Sequence, residues 1–132
     1  MFATGNVTVT VSNMDQSVRF YAETLGLKLL YRFGDHWASL QAGKGLTIGL
    51  HPASEQTPAG RKGSMSIGLE LSGTMEDAVR ELSAKGVKFG RVSDEGKAGK
   101  FAGFEDPDGN QLYLAQLNWT HVEQGEGTYP KG

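Results

Sequence analysis

The sequence predicts an α+β fold made of two tandem βαβββ units, and three observations predict it. Residues 6 to 11 alternate polar and apolar side chains, the signature of a half-buried strand. Residues 13 to 26 and 74 to 86 each run from a capping side chain through a helical apolar stripe to a glycine. The second half then repeats the order of the first at an offset of 60 residues: Asn6 falls on Ser66, Val9 on Leu69, Val11 on Leu71, Gly26 on Gly86 and Leu27 on Val87.

In the first unit, residues 5 to 51, Val7, Val9 and Val11 share one strand face and Asn6, Thr8 and Thr10 the other. Asn13 is placed to cap a helix with Gln16 as its capping-box partner, and Val18, Tyr21, Ala22 and Leu25 give the helix its apolar stripe. Gly26 ends it. Three strands are expected next, 27 to 33, 36 to 41 and 46 to 51, with turns at Gly34-Asp35 and Gly43-Lys44-Gly45. Residues 52 to 63, PASEQTPAGRKG, form a connector.

The second unit, residues 64 to 117, opens on a strand at 66 to 71. A helix follows, capped by Thr74, carrying Met75, Ala78, Val79 and Leu82 and ended by Gly86. Val87 to Val92 is expected to be a strand, Ser93 to Lys100 a loop, and Phe101 to Phe104 a strand. The turn Asp106-Pro107-Asp108-Gly109 then leads into a last strand at 111 to 117. Strand, cap, helix and terminal glycine are all taken to keep the one offset. Residues 118 to 132 read as a polar tail, and residues 1 to 132 as one domain.

Composition limits function. The chain has 132 residues, 38% hydrophobic and 21% charged, which suits an ordinary folded domain with a core of its own. It has no cysteine, so disulfides, thiolate nucleophiles and Cys-based metal sites are excluded. A net charge of −2 with no basic run argues against nucleic acid. No stretch has the roughly 18 apolar residues of a membrane span, and Met1 to Gly5 lacks the features of a signal peptide. The expected location is the cytoplasm.

Two tandem βαβββ units, the run VTVSNMDQSVRFYAETLGLKL and the segment FEDPDGNQLYL together resemble the vicinal oxygen chelate superfamily, which includes glyoxalase I, fosfomycin and bleomycin resistance proteins and extradiol dioxygenases. The resemblance covers about residues 5 to 117. It implies that each unit curls into a half-barrel of a curved mixed sheet with the helices outside, and that the chain forms a homodimer whose cavities are completed across the interface. It also implies four metal-ligand positions, which fall on Asn6, Gly49, Ser66 and Tyr113. None is His, Glu or Gln, so no metal cofactor is expected at the usual place.

His51 lies two residues beyond Gly49, and Glu70 four beyond Ser66. On period-2 strands both share the face of those positions, as ligands of a displaced metal site or as an acid–base pair with Tyr113 as proton carrier. On the alternative reading His51 ends a strand beside Pro52 and bonds the loop, while Glu70 meets solvent. The same strand phase carries Asn6, Thr8, Trp37, Gly49, Ser66, Gly68 and Gln111 as candidate ligand-binding residues, a mixture of flat apolar area and small polar groups. Mid-strand glycines at 49 and 68 suggest that something approaches the backbone there. His36 reads as a solvated strand start, Trp119 and His121 as packing residues, and Arg61 and Lys62 as solvated or anion-facing.

The function expected from these residues is metal-independent binding of a small organic compound, aromatic or antibiotic-like. A lyase, isomerase or dioxygenase using His51 and Glu70 is the alternative, and a purely structural or partner-binding role is a third.

Overall fold

In a computed structural model, residue 1 and residues 4–60 and 65–117 are described. The described residues group into two compact units: those within 1–66 together with 105–111, and 67–104 together with 112–117. Each is a four-stranded mixed sheet with one helix, so the expected α+β class and tandem units are found.

The first unit comprises β1 (Val7–Val11), α1 (Met14–Arg19), β2 (Lys28–Phe33), β3 (Trp37–Ala42) and β4 (Leu46–Pro52), with sheet order β1-β4-β3-β2. β1 pairs in parallel with β4, and β3 is antiparallel to both β4 and β2. One sheet face carries Val9, Val11, Leu40, Ile48 and Leu50. These are buried, as are Met14, Val18 and Tyr21 of the helical segment. Removal of this apolar surface from water is what holds helix and sheet together.

The helix begins as expected: Asn13 is extended, and its side chain accepts from the Gln16 amide at 3.0 Å. Its end corrects the single-offset expectation. Twelve residues separate Asn13 from Gly26, but eleven separate Thr74 from Gly86, so the caps are 61 positions apart and the glycines 60. α1 absorbs its additional residue by widening into a π-helical turn at Phe20–Thr24, where the Leu25 amide donates to the Phe20 carbonyl at 2.9 Å. Leu27 N–H then reaches Tyr21 O at 2.9 Å, with Gly26 at φ +79° making the stop.

The second unit comprises β5 (Ile67–Glu70), α2 (Met75–Ala84), β6 (Ser93–Asp94), β7 (Gly99–Glu105) and β8 (Gln111–Leu117), with sheet order β5-β8-β7-β6. Thr74 caps α2 by accepting from the Asp77 amide at 3.2 Å. The helix closes with paired bonds from Gly86 N–H to Ser83 O and from Val87 N–H to Leu82 O, the pattern a C′ glycine allows. Ile67, Met75, Val87, Ala102, Phe104, Leu112, Leu114 and Ala115 are its buried apolar residues among the described ones.

The expected strand at Val87 to Val92 does not form, and strand structure begins only at Ser93, inside the expected loop. Val87 is buried and Phe89 packs on Phe104 with ring centroids 5.4 Å apart, so the run packs inward without joining the sheet. A glycine in mid-run weakens a strand, and the bond from Gly90 N–H to Gly103 O at 3.0 Å does not extend into a ladder.

The turn between β7 and β8 belongs to the first unit. Asp106 is buried, and its carboxylate accepts four bonds: from the amides of Asp108 and Asn110, from Asn110 Nδ2 and, at 2.9 Å, from the Tyr21 hydroxyl. Asn110 Nδ2 also donates to Thr10 O at 3.0 Å, and Asp108 accepts from Ser12 through both its amide and its hydroxyl. Burial pushes the Asp106 carboxyl above its ordinary value, and burial beside that carboxylate raises the Tyr21 phenol strongly. The DPDGN segment thus completes the first unit as well as turning the chain.

Candidate functional site

The candidate residues divide between the two sheets. Thr8, Trp37, Gly49 and His51 lie on the first, Gly68, Glu70 and Tyr113 on the second. Asn6 and Ser66 sit one residue before β1 and β5, at equivalent places, and Gln111 opens β8. His51 and Glu70 therefore belong to different compact units.

On the first sheet the register sets Thr8, Gly49, Ser39 and Tyr31 in a row across the four strands, all on the face opposite the helix. The room over Gly49 is taken. A β-carbon there would run into the outer ring of Trp37, so the indole lies on the glycine. Its N–H reaches the Tyr31 hydroxyl at 3.4 Å, a long hydrogen bond that orients the ring. Ser39, between Gly49 and Tyr31 in the row, is only 2% exposed, unusual for a polar side chain on a sheet face.

Tyr31 and Phe33 were not among the sequence candidates. The Leu29-Leu30 pair breaks the alternation of β2 and hides its phase. In the structure Leu29 pairs with Leu40 and Tyr31 with Ser39, so Leu30 is an unpaired bulge. That bulge puts Tyr31 and Phe33 on the face of Trp37. They are 48% and 64% exposed, with ring centroids 5.5 Å apart. The opposite phase shows in Arg32, which reaches back to Asp15 of α1 at 2.6 Å. That bond holds the Asp15 carboxyl below its ordinary value.

His51 is exposed at the end of β4, and its Nδ1 lies 2.9 Å from the Pro52 carbonyl oxygen. This is the loop-bonding arrangement of the alternative reading. It also leaves Nε2 as the ring nitrogen not engaged by that carbonyl.

On the second sheet Gly68 pairs directly with Tyr113, and a β-carbon on Gly68 would run into the phenol ring. The Tyr113 ring lies 6.4 Å from that of Phe101 and is 37% exposed. Glu70 pairs with the buried Ala115 and is exposed. Among the described residues no group of three His, Asp or Glu side chains could hold a metal ion. Arg61, Lys62, Trp119 and His121 lie outside the described residues.

A pocket of about 310 Å3 opens where β1 runs into α1, with Ser12, Asn13, Asp15 and Asp35 in its wall. None of the candidate ligand residues lines it. No helix among the described residues is long and apolar enough to cross a membrane.

Among solved structures the chain is similar to TnmS3, an antibiotic binding protein from Streptomyces sp. CB03234, with 26% identity, a TM-score of 0.74, and 89% of this chain and 97% of that one covered. It is also similar to a glyoxalase/bleomycin resistance protein from the same strain, with 27% identity, a TM-score of 0.71 and coverage of 86% and 100%. A lactoylglutathione lyase from Agrobacterium tumefaciens, 13% identical with a TM-score of 0.71 and coverage of 89% and 95%, shares the fold. An uncharacterised protein of Mycolicibacterium smegmatis is 33% identical over 81 residues, which span 61% of this chain and 64% of that relative's length. Residues 4–114 match the family as a whole, and the chain belongs to the Glyoxalase/Bleomycin resistance protein/Dioxygenase superfamily.

Proposed function

We propose that this chain is a small-molecule-binding member of its superfamily, working as a homodimer in the cytoplasm. It takes a flat organic compound on the sheet face that carries Trp37, and does so without a metal at the superfamily's usual strand positions. The observation that carries the reading is the indole laid over Gly49. It fills the place where a metal enzyme of this kind would hold a ligand, and it presents a broad aromatic surface, extended by Tyr31 and Phe33 and bordered by Thr8 and His51. Such a surface suits stacking by a planar molecule, with the hydroxyl and imidazole groups orienting it.

The metal reading fits poorly. Asn6, Gly49, Ser66 and Tyr113 offer an amide, no side chain, a hydroxyl and a phenol, where a divalent ion wants imidazole or carboxylate. The similarity to an antibiotic binding protein supports the binding role. A second reading, acid–base catalysis by His51, draws support from the bond of its Nδ1 to the Pro52 carbonyl, which leaves Nε2 as the lone-pair nitrogen of the neutral ring.

Thermal unfolding with a panel of planar aromatics, anthraquinone-2-sulfonate among them, tests the first reading. At least one compound is expected to raise Tm at concentrations well above its Kd, and Trp37→Ala is expected to abolish the shift. No stabilisation by any of the panel, or stabilisation that survives Trp37→Ala, would sink it. Stoichiometric iron, nickel, manganese or zinc in protein purified without chelator would move the choice to the enzyme.

A further inference from the structure

We infer that the compound bound on the first sheet is an aromatic with a free hydroxyl, its ring on Trp37 and its hydroxyl donating to Nε2 of His51. This rests on the proposed binding role of that face and names the chemistry of the ligand.

The argument starts from what the two side chains have already committed. The indole has one hydrogen-bond donor, its N–H, and that is directed to the Tyr31 hydroxyl at 3.4 Å. Its outer ring is seated on Gly49. What Trp37 offers a ligand is therefore carbon surface. His51 is committed at the other ring nitrogen. A carbonyl oxygen can only accept, so the 2.9 Å approach of Nδ1 to Pro52 O places the hydrogen on Nδ1. In the neutral imidazole Nε2 is then a lone-pair acceptor, fixed as such by a main-chain partner rather than by the ligand.

An acceptor selects a donor. A hydroxyl satisfies Nε2, whereas an ether or ketone oxygen set against it would leave two lone pairs facing each other. The placement allows both contacts at once. Thr8 pairs with Gly49 and Thr10 with His51, so the glycine under the indole and the imidazole share a sheet face. They lie two strand residues apart, about 7 Å. A ring stacked over the indole can carry a hydroxyl to the imidazole without leaving that face.

Isothermal titration of the full chain with 2-naphthol and with 2-methoxynaphthalene tests this, since the second keeps ring and oxygen but has no hydrogen to give. The expected result is 2-naphthol binding tighter by about three- to tenfold, the range of one net hydrogen bond. His51→Leu is expected to abolish the difference between the two compounds, and His51→Gln, whose amide oxygen can accept, to bring part of it back. Equal affinities in the unmodified protein, or a preference that survives His51→Leu, overturn the inference and leave the binding role of the face standing. If neither compound binds, the inference falls together with the stacking role of Trp37.

Discussion

The two units follow one element order but hold themselves together differently. In the first, β2 has six residues, the helix carries a π-helical turn, and the sheet face is covered by an indole fastened to a neighbouring phenol. A buried carboxylate on a segment distant in sequence bonds the helix through Tyr21. In the second, the equivalent of β2 shrinks to Ser93–Asp94, the helix closes without widening, and the glycine on β5 lies under a phenol that is 37% exposed. The lesson is that a repeat can keep its topology while each copy fastens its helix and covers its sheet face with different polar and aromatic contacts.

The largest difference to break is the Tyr21–Asp106 link, which the second unit has no counterpart for among the described residues. Asp106→Asn sets an amide nitrogen against donors that now meet a carboxylate oxygen, and is expected to cost about 2–4 kcal/mol in chemical denaturation. Its pH dependence has a definite sign. The folded-state pKa of Asp106 is raised above 3.8, so the folded protein holds that proton more tightly than the unfolded chain does. That contribution is fully present below 3.8 and is lost as pH rises through the folded value. The margin of the unmodified protein over Asp106→Asn should therefore narrow on going from about pH 4 to neutrality. A margin that widens with pH would show the carboxyl to be favoured in its ionised form.

The two glycines sharpen the comparison next. Gly49→Ala must push the indole off its seat and away from Tyr31, with an expected loss of about 1–2 kcal/mol and a changed near-ultraviolet dichroism from Trp37. A Trp119→Phe background removes the signal of the chain's other tryptophan. Gly68→Ala meets a phenol that can swing toward solvent, and alanine suits a strand better than glycine, so a change under about 1 kcal/mol is expected. Equal losses would mean that the faces are equally fixed.

The smallest expected contrast lies in the helix caps. Asn13→Ala and Thr74→Ala should each cost about 1 kcal/mol, because each removes one side-chain acceptor from the same place in its helix. Matching losses would confine the difference between the helices to their C-terminal ends. Unequal ones would show that it extends to their starts.

How much of this was legible in the sequence depends on how local the cause is. The caps at Asn13 and Thr74 and the stops at Gly26 and Gly86 act within one turn of their own residues, so the letters reveal them. The π-helical turn was also on the page, as a cap offset of 61 against a glycine offset of 60, but a repeat read at one offset averages it away. The bulge at Leu30 hid Tyr31 and Phe33, because two adjacent leucines fit either phase of a strand. Gly90 within Val87 to Val92 was a local sign that this run would not build a ladder. The Tyr21–Asp106 bond spans 85 positions, and no periodicity carries such a partnership. The strand phase did single out Gly49 and Gly68, yet it could not say that the chain's own rings would occupy the space above them.

The seat of Trp37 on Gly49 also constrains the order in which this protein can change. Any side chain gained at 49, whatever its chemistry, meets the indole first, so such a substitution is damaging until position 37 has become smaller. A smaller residue at 37 in turn uncovers the bare glycine, with the contact of the indole lost and nothing yet gained. The two positions are therefore coupled: a side chain is gained at 49 without loss of packing only once position 37 has become smaller.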